Sequence, residues 1–206
     1  MPFRPFQALR HRFRPARYQE VQALLEVEEC PGFILDLGGG PASFFASLYP
    51  RPQRVILAEL EHALAMQAKA RVPSLQVIVA KGEQLPFSDG GIDVTVCNSV
   101  IEHVEDAAAL ASEIRRVSSA YFVQTPNGRF PVELHSTIAI PFYRWIPWPA
   151  LRRKLCRLFG GDFDYVESVS YLAEDEIVGL FPEAHIVRER FFGLTKSFYA
   201  VKLAGD

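Results

Sequence analysis

The chain has 206 residues, 49% of them hydrophobic, with 22 Lys and Arg against 24 Asp and Glu and a formal net charge of -2. That length can bury one substantial core and leaves little room for a second full domain, so residues 1–206 read as one domain. The charge balance excludes the domain-wide basic surface of a typical nucleic-acid binder, and no specific nucleic-acid partner is expected.

The first acidic residue is Glu20, preceded by Arg4, Arg10, Arg12, Arg14 and Arg17. Residues 1 to about 17 therefore read as a basic arm, either solvated or drawn to an anionic surface. Prolines punctuate these arginines, and no apolar signal-peptide core follows them. Nor does the chain contain about eighteen uninterrupted apolar residues, the length that spans a bilayer. Cys30, Cys97 and Cys156 are widely separated and form no C-x-x-C pair. That spacing suggests neither a disulfide framework nor a thiolate zinc site, no metal is assigned, and a reducing, cytoplasmic setting is the simplest expectation.

Beyond the arm, apolar runs rich in β-branched residues alternate with helix-like runs, the pattern of an α/β sheet with helices on both faces. Strands are expected at 33–37, 54–59, 75–80, 92–97 and 119–124, and helices around 18–27, 42–49, 60–71 and 104–117. Residues 126–162 have a different texture, dense in proline, with Trp145, Trp148 and a cluster of arginines. They read as an insertion at the active-site edge, serving as a substrate lid. Finally, "EAHIVRERFF" and "TKSFYAVKL" flank Gly193 with no room for a crossover helix, so they should pair as an antiparallel hairpin.

The stretch "ILDLGGGPASFF", Ile34 to Phe45, delivers Asp36 and three glycines to the junction of a strand and a helix. Such a junction gathers free backbone N–H groups and a helix N-terminus at one point, where a polar or ionic ligand can approach closely. A tight turn without a ligand is the plain alternative. Glu59 follows Gly38 by twenty-one residues and ends the second strand, the spacing at which a carboxylate accepts hydrogen bonds from ribose hydroxyls. Its plain alternative is a surface acid favoured near a helix start. Together they point to an adenosine-containing ligand. The register G-G-G-P-A-S, with Ser43 in place of a third glycine, argues against NAD.

Here the sequence resembles the class I S-adenosylmethionine-dependent methyltransferases, particularly the UbiE-like group. Asp36, Gly38 and Gly40 match the first motif D-x-G-x-G-x-G, with Ala42 in place of its last glycine, and "GEQLPFSDGGIDVTVCNSVIEHV", Gly82 to Val104, matches later ones. The resemblance covers roughly residues 30–127. It implies a Rossmann-like three-layer sandwich around a mostly parallel seven-stranded sheet of order 3-2-1-4-5-7-6, its last strand antiparallel. It also implies S-adenosyl-L-methionine as cofactor. Asp36 with Gly38, Gly39 and Gly40 would hold its methionine end, Glu59 and the adjoining Leu60 its ribose, Gly82 and Glu83 its adenine, and Asn98 would face the sulfonium. The family often carries an acid just before the Gly82 position; Lys81 stands there instead, leaving Glu83 or backbone groups to hold the adenine amino group.

Methyl transfer from a sulfonium is an in-line displacement, and a general base is needed only when the acceptor must lose a proton. His103 follows the fourth strand, and its plain alternative is a structural residue in the first turn of the next helix. His135 follows the fifth, two residues after Glu133, placed to be oriented by that carboxylate, to share a metal with it, or simply to bond backbone in a loop. The acceptor is expected to be small or lipid-linked, more readily oxygen. The segment 142–158 fits an aromatic lid, packed insertion core, or peripheral contact with a membrane. Two rival functions are a noncatalytic nucleoside-binding module and an NAD(P)-dependent oxidoreductase.

Overall fold

A computed structural model describes residues 4–132, 140–159 and 161–205. The chain begins with a long helix α1 (Arg4–Leu25), then alternates β1 (Ile34–Leu37), α2 (Phe44–Leu48), β2 (Val55–Glu59), α3 (His62–Arg71) and β3 (Gln76–Val79). It continues with β4 (Ile92–Asn98), α4 (Ala107–Val117) and β5 (Ser118–Pro126). The remainder holds α5 (Pro149–Leu158), α6 (Phe163–Ser168) and α7 (Glu174–Leu180), and ends in the hairpin β6 (His185–Phe191) and β7 (Leu194–Lys202).

Seven strands form one sheet in the order β3-β2-β1-β4-β5-β7-β6. β1 lies parallel to both β2 and β4, and β7 runs antiparallel to β5 and β6. Every residue of β1 and β2 is buried, as expected of central parallel strands covered on both faces, and this is why their sequences are apolar apart from Asp36 and Glu59. The edge strand β3 has both of its ends exposed.

Alternate residues of the strands feed two cores. One face packs Leu35, Leu37, Cys97 and Val123 against Leu110 and Ile114 of α4 and Ile177 of α7. The other packs Ile34, Leu57, Val96 and Phe122 against Val21 of α1, Phe45 of α2 and Ala68 of α3. Fully burying each such side chain contributes about 1.5–3 kcal/mol. A separate small cluster of Tyr143, Cys156 and Val166 holds α5 to α6.

The basic arm and the first helix are continuous, since α1 already begins at Arg4 and carries Pro15 within it. Arg17 is fastened to the body: Nη2 lies 3.0 Å from Glu189 on β6, and its guanidinium stands 4.6 Å over the Tyr199 ring on β7. Among the described residues no helix is long and apolar enough to cross a membrane.

Gly38 has φ +67°, and a Cβ there would come within 2.6 Å of Val100 Cγ2. Gly38→Ala should therefore cost about 2 kcal/mol or more in urea denaturation. Adding Val100→Ala should return part of that loss by removing the clash while the φ strain stays. The same loss in both backgrounds would show that Val100 does not press on this bend.

Candidate active site

Leaving β1, Gly38 N–H still donates to Ala58 O at 2.9 Å, and the chain then turns away from the sheet. The three glycines meet three different surroundings. A side chain at 38 would strike Val100, one at 39 would come within 2.3 Å of the Asp36 carboxylate, and one at 40 would meet nothing within 4 Å. Gly40, also at φ +67°, is the point where the bare backbone faces open space.

Ser43 organises the far side of the bend. Its Oγ accepts the Ala46 N–H at 2.9 Å, capping α2, and its hydroxyl donates to the Asp36 carboxylate. Asp36 is only 1% exposed. Burial pushes its carboxyl up to about 6, the nearby Glu59 charge adds to this, and the Ser43 hydrogen bond works against it. In the sequence Ser43 registers only as the missing third glycine; a serine directly before "FFASL" is also an N-cap signal.

Glu59 closes the junction from the tip of β2. Its Oε2 accepts the Gly40 N–H at 3.0 Å and its Oε1 accepts the Leu60 N–H at 2.9 Å. Each oxygen keeps a further acceptor site, so a carboxylate held in this way can still take a vicinal diol. The glycine bend and the strand tip thus face one another within hydrogen-bonding distance.

Beside them opens a cleft of about 240 Å³ that is lined by Gly38, Glu59, Leu60, Gly82, Glu83 and His103. Asp36, Gly39, Gly40 and Asn98 are not in that lining. Val100, Ser99 and Lys81 line it without having been singled out as ligand contacts from sequence. Ser99 stands at φ 58° and is fixed by Gln124, its N–H donating to the Gln124 carbonyl at 3.0 Å and its hydroxyl to the side-chain oxygen at 2.7 Å. Next to it, Asn98 Oδ1 is buried and accepts no hydrogen bond among the described residues.

At the opposite wall, Lys81 Nζ lies 3.4 Å from Glu83 and 3.3 Å from Glu105. Glu83 Oε1 is buried and is the atom that faces the Lys81 ammonium, so an incoming amino group would share this carboxylate with Lys81. Gly82 has a packing reason to be glycine, because a Cβ there would sit 2.7 Å from Leu110 Cδ1 of α4.

His103 lies in the turn ahead of α4, not in the helix, which starts at Ala107 with Asp106 as its cap. Its ring stacks on Tyr165 of α6 with centroids 5.4 Å apart, and its Nε2 is 3.5 Å from the tyrosine oxygen. The chain that follows the insertion therefore reaches the cleft mouth. His135 and Glu133 lie outside the described residues.

Residues 35–120 match the family model described as "Methyltransferase domain". Over 93 residues the chain is 34% identical to an "Uncharacterized methyltransferase" of Mycobacterium sp. strain KMS, covering 44% of this chain and 37% of that protein. Over 78 residues it is 33% identical to a "Probable S-adenosylmethionine-dependent methyltransferase" of Mycobacterium tuberculosis, covering 36% and 28%. The matched segments thus span 37% and 28% of those relatives' own lengths. Among solved structures, the magnesium protoporphyrin IX methyltransferase of Synechocystis with bound S-adenosylhomocysteine superposes with a TM-score of 0.58 at 15% identity, over 91% of this chain and 82% of that one. The matches are to the methyltransferase domain at large and do not single out the UbiE-like group.

Asp36 binds its proton more tightly in the folded chain, at about 6, than at the ordinary 3.8. The native state thus holds more protons between these values, and stability falls as pH rises through them. Asp36→Asn removes the titrating group, so its stability relative to the parent should improve by up to about 3 kcal/mol from about pH 4 to pH 7. Denaturant midpoints at the two pH values measure this; a gap that does not change with pH would contradict the burial argument.

Proposed function

We propose that this chain, whose residues 35–120 carry a methyltransferase domain on a class I S-adenosylmethionine-dependent methyltransferase fold, transfers a methyl group from S-adenosyl-L-methionine to a small or lipid-linked acceptor, most readily at oxygen. The observation that carries the reading is the 3.0 Å hydrogen bond from Gly40 N–H to Glu59, which puts a side-chain-free bend and a diol acceptor at one mouth of one cleft.

The residues present suit the nucleoside. The space at Gly40 is open, Glu59 retains acceptor sites for the ribose, and the Glu83 carboxylate, paired with Lys81, keeps further acceptor positions for an adenine amino group. This assigns to Glu83 the part that the acid missing at Lys81 would play. Asn98 Oδ1 and Asp36 support the methionine end from beneath the bend. When bound, the sulfonium supplies a methyl group activated for in-line displacement. The protein's share is to orient donor and acceptor and to exclude water.

Oxygen is favoured as the acceptor atom because His103 lines the cleft, where an imidazole can accept the proton of an attacking hydroxyl. The nicotinamide alternative is disfavoured by the antiparallel β7 and by Ser43, whose bond to Asp36 occupies the third-glycine position. The three cysteines are buried as free thiols, in keeping with a cytoplasmic setting.

Calorimetric titration with S-adenosylhomocysteine tests the reading. Binding should weaken by about tenfold or more in Glu59→Ala, through loss of charge-assisted bonds to two hydroxyls. NAD and NADP should give no thermal stabilisation where S-adenosylhomocysteine does. Stabilisation by a nicotinamide cofactor alone would overturn the proposal. For the acceptor, His103→Ala should keep S-adenosylhomocysteine affinity and lower the rate on a hydroxyl acceptor about 100-fold or more; an unchanged rate would remove His103 from the chemistry.

A further inference from the structure

The hairpin and the insertion expose apolar surface at the same edge of the sheet. Because β7 runs antiparallel to β5, with Pro126 opposite Ser197, the turn between β6 and β7 comes out where the parallel strands end, beside the cleft. Phe192 at this turn is 91% exposed. Its neighbour Phe191 packs edge-on against it at 4.7 Å and meets Phe130, just past β5, at 6.4 Å. From there Pro131 O accepts the Phe142 N–H, and the Phe142 ring lies 5.1 Å from Trp145. Two separate parts of the chain thereby join into one aromatic rim that leads on to α5.

Two backbone features set this rim apart from scattered surface residues. Phe142 stands at φ 59° and Phe192 at φ 49°, conformations in which bulky L-residues are strained. Phe192 and Gly193 form a two-residue hairpin loop with both φ positive, the geometry in which Asn-Gly or Asp-Gly is favoured. At both places a phenylalanine is kept where it strains the backbone and its ring is largely in water. Neither choice serves the folded chain by itself.

The helix behind the rim is amphipathic in an outward sense. α5 turns Cys156 into the small inner cluster, while Trp148, Leu158 and Trp145 stay 64%, 73% and 61% exposed. Its sequence PALRRKLCRL has four cations and no acid. Arg152 pairs with Glu167 at 2.9 Å and Arg153 lies 4.7 Å over the Phe163 ring. Lys154 and Arg157 are exposed, with no acidic partner among the described residues, as are Arg129 and Arg190 near the hairpin turn. Asp162, which follows α5, caps α6 by accepting the Asp164 and Tyr165 N–H groups. In a chain of net charge -2, positive charge is concentrated around these aromatics. Tryptophan and phenylalanine beside unpaired cations suit the boundary between acyl chains and anionic headgroups.

We propose that this rim docks onto an anionic lipid bilayer, so that the cleft beside it takes an amphiphilic acceptor from the membrane surface. The proposal rests on the methyltransferase reading for the fate of that acceptor, while the docking itself stands apart from it. The chain has two tryptophans, Trp145 and Trp148, both in the rim, so tryptophan emission, excited selectively over the tyrosines, reports on this surface.

The test titrates the full chain with vesicles of phosphatidylcholine with and without phosphatidylglycerol, following fluorescence and co-sedimentation. A blue shift and pelleting with the anionic vesicles are expected, both reduced by salt. Affinity should fall about tenfold or more in Lys154→Glu/Arg157→Glu and in Phe192→Ser. Both variants should bind S-adenosylhomocysteine as the parent does, which separates loss of docking from loss of the nucleoside site. Absence of a shift with anionic vesicles, equal binding to neutral ones, or a rim-dependent dimer in solution in place of vesicle binding would each overturn the proposal.

Discussion

The site depends on two strand tips being held against one another. Parallel pairing of β1 and β2, with Leu37 opposite Ala58, brings the exit of one strand alongside the end of the other. The Gly40 N–H then reaches Glu59 from a backbone at φ +67°, a conformation that glycine adopts without strain. Asp36 lies underneath, kept from water and bonded to Ser43, so the same few residues set the start of α2. Burying a carboxylate there is costly, and the raised proton affinity of Asp36 is the sign of that cost.

The reversed strand β7 shapes what surrounds this junction. It fills the sheet beside β5 and carries the hairpin turn back to the edge where ligands bind in open α/β sheets. α7 accomplishes the crossover, burying Ile177 against the α4 face. That leaves α6, just after the insertion, to bring Tyr165 to His103 and the insertion to hold its tryptophans outward. Cleft and rim are therefore products of one topological choice.

Much of this was legible in the sequence for physical reasons. Strands covered on both faces are dense in apolar and β-branched residues, so β1, β2, β4 and β5 are readable to within one or two residues although Asp36, Thr95 and Gln124 interrupt them, and Glu59 falls at a strand tip by simple spacing. Helix α1 was half missed because arginines and prolines read as an arm; its C-terminal half shows the apolar pattern, with Val21 fully buried. α6 and α7 are short and owe their place to packing with distant residues, which periodicity does not register. The roles of Gly82 and Ser43 were hidden for the same reason: Leu110 and Asp36 come near them only once the chain is folded. Lys81 and Glu83 show the reverse case. A departure from a family pattern was visible at once, and its consequence, a buried acceptor at Glu83, required the fold.

In the proposed function one adenosine-containing ligand is embraced by the β1 bend and the β2 tip together. Hydrogen–deuterium exchange with and without S-adenosylhomocysteine addresses it most directly. Peptides covering residues 36–46, 55–61 and 81–86 should gain protection together while the outer hairpin does not, because the ligand immobilises both tips and the adenine wall. Protection of only one of these segments, or of none while the ligand is bound, would contradict it.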